Sequence, residues 1–596
     1  GVTYRNATGF YDWYAGPLDK SGNTELQVCN DWDRFFSVLG SNIQSHIVAF
    51  DNYPDPDNFP CDSIPDDVKY WPGQGNPYWL DKFEFELPDQ PLGAFWDENG
   101  NGIYDPCGGD FPIIDIRKCE PVNRDHAKEL VPDEMKFWIY NDNGSGNHLL
   151  TRGQPIRMEV QVQAFAYATN DQVNDMTFYR YKLLNKAEGD LFNCYFAMWV
   201  DPDLGCYQDD YIGVDVDRSM AYVYNEDAVD GITGCNCSET PTYCNQVPLL
   251  GIDYFRGPRG AKKFIIENGD TCKIYNADST EYEYCLRDPS MDTPEAADTL
   301  VEIGMTSFIY MENCSVGDPE PVTCDPSGTD LPFYNYLRGL WLDGTPITFG
   351  GSGYNPGSTD TVKYVFPNPP NMNDGWSMCT ADLPFGDRRT LQATGPLVLQ
   401  PGTTNELIIG VPFVPDETSY PCPDISRLLA ADNIAQALFD NCFDIVDGPD
   451  APDITGVELD RELILVLSND AGSNNKNLTY SEKDIFANPG YEAYYSFQGY
   501  KIYQLANASV TAQELDQIDK ARLVRQTDLK DKVSILYNWS TSSDPTEVNE
   551  TAVYTPVLEV TGADLGLMTT FDIKEDAFGD TDNRLVNHRQ YHYMAL

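Results

Sequence analysis

The sequence predicts a mainly β protein, built of tandem β-sandwich domains behind a loop-rich N-terminal region, with few helices. Three observations carry this expectation. Short runs that alternate apolar and polar residues recur at intervals suited to antiparallel strands, and turns rich in Gly, Pro, Asn and Asp separate them. The composition, 41% hydrophobic and 13% aromatic, supplies enough burial to offset the entropy of ordering the chain, despite a net charge of −55. Sixteen cysteines, with no CxxC and no Cys/His ligand cluster, read as disulfides of an oxidising compartment rather than as zinc sites. At 596 residues the chain is too long for a single core.

Residues 1–150 form the loop-rich region. Within it, Asn30 to Phe50 carries a capping residue and apolar positions at helical spacing, so one helix is expected there. From Asp51 to Pro112, Pro, Gly, Asp, Asn, Trp and Tyr favour turns, and something other than a ladder of backbone hydrogen bonds must hold them. Residues 151–446 read as a large β-sandwich region. Ile156 to Ala168 alternates Met158, Val160 and Val162 with Glu159, Gln161 and Gln163, the pattern of a half-buried strand. "MTFYRYKLLN", "NCYFAMWV", "MAYVYN", "TSFIYM", "TVKYVF", "RRTLQATGPLVL" and "NELIIGVPFV" continue the series. A helix over 424–441 follows, with Leu428, Ala435, Leu438 and Phe439 on one face to cap the sandwich. The acidic, Pro-rich "DGPDAPDI" coincides with the last cysteine, Cys442, and marks a domain boundary. Over 454–596, "LILVLSND", "YSFQGYKIYQL", "ARLVRQTD", "AVYTPVLEV" and "RQYHYMAL" fall at the intervals of an immunoglobulin-like sandwich.

The sharpest chemical signal is "DENGNGIYDP". Asp97, Asn99, Asn101, the carbonyl of Ile103 and Asp105 place oxygen ligands at alternate positions, with Asp110 as a further donor, so Ca2+ is the expected cofactor. The loop departs from an EF-hand, because Gly108 stands where that pattern requires Glu. A second acidic cluster, Asp201, Asp203, Asp209, Asp210 and Asp215, lies on turns beside expected strands, and so many carboxylates repel one another unless a divalent ion separates them. Short disulfide closures pair Cys107 with Cys119, Cys272 with Cys285, Cys314 with Cys324, and Cys422 with Cys442. The charge repels nucleic acid and anionic lipid, and no apolar run approaches a membrane span, so neither nucleic acid nor direct membrane insertion is expected. There is no HExxH, no GxSxG, no phosphate-binding loop and no dinucleotide fingerprint, and no catalytic residue is assigned. Paired carboxylates also serve glycosidases, which leaves a carbohydrate-active enzyme or carbohydrate-binding protein as the alternative function.

The stretches "DENGNGIYDP", "NDMTFYRYKLLN", "MWVDPDLGCYQDDYIGVDVDRSMAYVYN", "FGGSGYNPGSTD", "GWSMCTADLPFGDRR" and "YSFQGYKIYQL" resemble large secreted multidomain β-proteins of Bacteroidota exported by the type IX secretion system. The resemblance implies a C-terminal sorting domain, which is not read in this sequence, as its removal after export would explain. Tyr591 and Tyr593 resemble the penultimate strand of a fibronectin type III module, whose last strand would lie beyond Leu596 or come from another chain. The same lineage attaches O-glycans at Asp-Ser/Thr followed by a small or aliphatic residue, which marks Ser63, Ser279, Thr299 and Thr361. The expected role is a non-catalytic structural or adhesive protein of the cell surface or matrix, for example a filament or sheath subunit. Its expected partners are copies of itself, other surface proteins or glycans.

Overall fold

A computed structural model describes residues 12–596 except 57–58, 145–147, 169–171, 232–234, 238–241, 262, 268–270, 276–281, 287–299, 315–320, 385, 417–419, 444–447, 471–472, 484–493, 509, 511–514, 516, 543–552, 563 and 580–582. It is mainly β, with several antiparallel sheets and few helices, and it divides into two compact units, Gly1–Asp444 and Ile445–Leu596. No helix among the described residues is long and apolar enough to cross a membrane.

The first unit is organised by a nine-stranded sheet. Its strands are β1 (Tyr14–Ala15), β2 (Phe36–Leu39), β3 (Glu134–Asn141), β4 (Met158–Ala166), β5 (Met176–Asn185), β7 (Asp210–Asp215), β8 (Met220–Asn225), β9 (Pro248–Arg256) and β12 (Thr404–Pro415). The order across the sheet is β1, β3, β4, β5, β12, β9, β8, β7, and β2 pairs with β3 as well. Three of these strands come from the first 150 residues, so that region is part of the sandwich rather than a segment ahead of it. The helix expected over Asn30 to Phe50 is correspondingly split. Leu26–Asp31 and Gly40–Asp51 are helical, but Phe36 and Val38 bury alternate side chains against Phe137 and Met135, and strand pairing overrides the helical spacing.

A second sheet, β10 (Ser307–Glu312), β11 (Arg388–Leu399) and β6 (Leu191–Val200), faces the even-numbered side of β4. Tyr254 of β9 bridges the two layers, because its hydroxyl donates to the Gln392 carbonyl and accepts the Met198 N–H. Of "TVKYVF", only Thr361–Val362 forms a strand, paired with Ile347–Thr348.

The opposite face of β4 corrects the half-buried reading. Glu159, Gln161 and Gln163 are 0%, 2% and 3% exposed, because the irregular N-terminal segments roof them. These side chains supply the hydrogen bonds that the roof lacks internally. Glu159 accepts the Leu18 N–H at 2.8 Å, Gln161 donates to the Pro91 carbonyl at 3.0 Å, and Gln163 donates to the Ile113 carbonyl at 2.8 Å while accepting the Asp115 N–H at 3.0 Å. A buried loop is stable only when its backbone groups are paired, and here a strand's side chains do the pairing. Asp115 extends the belt to Arg180 at 2.9 Å. Burial pushes its carboxyl up, but Arg180 and Lys182 together hold it below the ordinary range.

Further along the same face the covering is apolar. The helix α1 (Ser426–Asp440), close to the expected capping helix, lies on β9 and β12. Phe439 stacks on Phe255 at 5.6 Å, and Phe443 meets Phe165 and Phe178 at 5.0 and 4.9 Å. The Phe255 ring occupies the space above Gly410, where a Cβ would stand 2.0 Å from it, so the close approach requires glycine.

Six disulfides form among the described residues: Cys61–Cys107, Cys119–Cys442, Cys206–Cys235, Cys237–Cys244, Cys314–Cys324 and Cys379–Cys422. Cys314–Cys324 is the expected short closure. Cys107, Cys119, Cys422 and Cys442 all take other partners than those expected, because the fold brings together segments remote in sequence. Cys119 ends the roof and Cys442 follows α1, and both elements cover one face of the sheet. Cys272 and Cys285 are cross-strand partners in the hairpin Thr271–Tyr275/Tyr282–Leu286. Cys29 and Cys194 are free, so the even cysteine count does not mean complete pairing.

The second unit contains two three-stranded sheets. One is β13 (Asp453–Leu459), β14 (Glu462–Ser468) and β17 (Thr570–Ile573); the other is β16 (Ala521–Asp528), β15 (Gly499–Leu505) and β18 (His592–Ala595). Leu465, Leu467, Phe571 and Ile573 from the first sheet share one core with Tyr500, Ile502 and Ala595 from the second. A further hairpin joins Ile535–Ser542 to Val553–Thr561.

Candidate metal centre

The "DENGNGIYDP" loop connects the two-residue strands Phe95–Trp96 and Phe111–Pro112. Gly100 and Gly102 adopt positive φ, which lets the backbone curl around Asp97. Asp97 accepts N–H groups from Gly100 at 2.7 Å, from Asn101 at 3.2 Å and from Gly102. Asn99 and Asn101 accept the N–H groups two residues ahead, and Asp105 accepts that of Cys107. Asp110 is 0% exposed and brackets the loop from beneath, accepting the Glu98 N–H at 2.9 Å and the Asp105 N–H at 2.7 Å. Burial first, and then the charges of Asp97 and Asp105, push its carboxyl up to about 7. The turn therefore closes on its own side chains. Asp97, Asp105 and Asp110 do not converge among the described residues; the carboxylates that do so lie elsewhere.

The second acidic cluster separates into three places. Asp201 and Asp203 meet Asp387, with oxygens within 4.8 Å of one another. Arg389 already serves that group, with Nε 3.2 Å from Asp201 and Nη2 3.5 Å from Asp387. Asp215 turns to Arg218 at 2.9 Å. Asp209 immediately precedes β7 and Asp210 begins it, where the β7–β8 hairpin carries residues 226–231 back beside them: Glu226 donates its N–H to the Asp209 carbonyl at 2.8 Å. There Asp209 lies within 4.8 Å of Asp230 and of the Cys206 sulfur, which is bonded to Cys235. Burial, reinforced by Asp230 and Asp227, pushes Asp209 up to about 7. Asp210 is raised as well, by burial first and then by Asp209 and Asp230. Asp230 was not anticipated from sequence, although the hairpin implied by "DDYIGVDVDRSMAYVYN" brings it to this place.

A second buried acidic pair joins α1 to the sheet. Asp253 and Asp432, 1% and 2% exposed, hydrogen-bond to each other, and Arg218 stands 3.5 Å from Asp432 with Asp215 beyond it. Burial raises Asp432 to about 6, and burial together with Asp432 raises Asp253. Both therefore hold protons in the fold at pH values where an unfolded carboxyl, ionising near pH ~4, has lost them. The contribution of Asp432 to stability is full below that pH and is lost as pH rises through about 6, and that of Asp253 falls in the same direction. We expect the melting temperature to fall across this window and Asp432→Asn to flatten the fall. Calorimetric scans between acid and neutral pH check it, and equal slopes in both proteins would contradict it.

Of the modification candidates, Ser63 is exposed on a single 3-10 turn and Thr361 is exposed on its short strand, whereas Ser279 and Thr299 lie outside the described residues. In comparison with known protein families and with curated proteins, the chain matches none.

Proposed function

We propose that the protein is a non-catalytic structural or adhesive component of the cell exterior, exported as the Bacteroidota-like stretches of its sequence imply. One observation supports this above the others. The disulfides clasp the irregular parts of the first unit, including a roof that has little regular structure of its own, and such bonds persist in an oxidising compartment. The second unit adds weight, because its strand order, β13-β14-β17 facing β16-β15-β18, suits a fibronectin type III reading in which β18 takes the place of the sixth strand. Copies of the same chain, other surface proteins or glycans are the partners this reading favours.

Surface labelling of intact cells with a membrane-impermeant reagent, followed by thiol titration of the recovered protein, tests the reading. We expect labelled protein with oxidised cysteines. Recovery only from the cytosol in reduced form would sink it, and turnover of a polysaccharide in a hydrolysis screen would replace it with the enzymatic alternative.

A further inference from the structure

We propose that Asp209 and Asp230 form a calcium site at the base of the β7–β8 hairpin. The argument starts from charge. Asp209, Asp210 and Asp230 are 0%, 3% and 0% exposed, and none forms an ion pair with a basic side chain among the described residues. Buried carboxylates this close pay a large desolvation penalty unless protons or a cation neutralise them.

The surrounding chain holds Asp230 in place as an acceptor. Its Oδ1 accepts the Cys206 N–H at 2.8 Å and its Oδ2 accepts that of Tyr243. Gly205 adopts φ +80° directly against it, and a Cβ there would lie 2.0 Å from Oδ2, so this residue must be glycine for the carboxylate to sit where it does. By contrast the oxygens beside it are left open. Among the described residues Asp209 has one long bond, from the Gly231 N–H at 3.3 Å, and its Oδ1 has no partner. Asp210 accepts the Leu204 N–H at 2.9 Å, and its own Oδ1 is also unpartnered, in a residue close enough to feel the charge of both Asp209 and Asp230. Native interiors rarely leave such atoms unsatisfied, and an orphaned oxygen on a buried carboxylate within 4.8 Å of another carboxylate is a place an ion would satisfy.

The donor set chooses the ion. Every free donor is a hard oxygen, and the one sulfur, that of Cys206, is spent in the bond to Cys235, which disfavours zinc and copper. Calcium tolerates the irregular, carboxylate-rich geometry that loops provide, whereas magnesium demands a near-ideal octahedron. This site does not depend on the cellular location proposed above.

The test uses the whole protein, stripped with a chelator and titrated with calcium chloride and, separately, magnesium chloride by calorimetry. We expect a calcium equivalent that Asp209→Asn and Asp230→Asn each weaken by at least about tenfold and that Asp97→Asn leaves in place. Hydrogen exchange on the unaltered protein locates the ion without relying on variants: calcium should slow the amides of residues 204–211 and 226–231. Absence of calcium binding, protection confined to residues 95–112, or a clear preference for magnesium would each overturn the assignment.

Discussion

Replacing Glu159 with alanine is expected to destabilise the first unit by about 3–5 kcal/mol, the cost of stranding one half of a buried ion pair. Glu159 is 0% exposed and lies 2.8 Å from the Lys186 ammonium, which is itself mostly covered and donates to the Leu18 carbonyl at 2.7 Å. The same carboxylate accepts from the Leu18 N–H, from Gln90 at 3.0 Å and from Gln161 at 2.9 Å. Its removal leaves a cation without its anion and three donors without their acceptor. Glu159→Gln keeps the shape and loses only the charge, so its cost should be smaller. Glu159→Leu combined with Lys186→Met should recover part of the loss, because two apolar groups have no charge to strand. Urea unfolding of the three variants checks the order, and a cost below about 1 kcal/mol for the alanine variant would mean that water replaces the lost partner.

The second large effect is expected from the bond between Cys119 and Cys442, which are 323 residues apart. Closing so long a loop restricts the unfolded chain strongly, and the serine double variant should lose about 5–6 kcal/mol on chain entropy. Cys314→Ser with Cys324→Ser opens a loop of separation 10, and chain entropy assigns it a smaller loss, of about 2–3 kcal/mol. Amide exchange should rise in residues 113–119 and around Phe443 in the first variant and stay unchanged there in the second. Equal stability of the first variant and the parent under oxidising conditions would show that the roof is held by its hydrogen bonds alone.

Sequence periodicity finds strands well where one face meets water or where a run is long. "MTFYRYKLLN" and "RRTLQATGPLVL" coincide with β5 and β11, and α1 lies within the helical stretch read from 424 to 441. It misjudges the burial of β4, since alternation shows two faces of different chemistry and cannot show that the polar one is covered by chain 50 to 141 residues away. It overlooks β3 and β9, each of which pairs on one side with a strand remote in sequence, β2 for β3 and β12 for β9. Disulfide pairing fails for the same reason: spacing favours near neighbours, whereas Cys119 and Cys442 meet because two coverings share one sheet face. Among acidic residues, the tract from Asp201 to Asp215 is visible in sequence, but its division among Arg389, Arg218 and Asp230 depends on which hairpin returns where.

The long-range cystine also determines how the molecule would carry a pull. Tension entering from the second unit reaches Cys442 and passes across the sulfur bridge to Cys119, so the 323-residue stretch between them bears no direct load. While the bridge is intact, roughly 1,100 Å of potential chain extension is withheld. A reductant would act as a release, turning a stiff link into one that pays out slack.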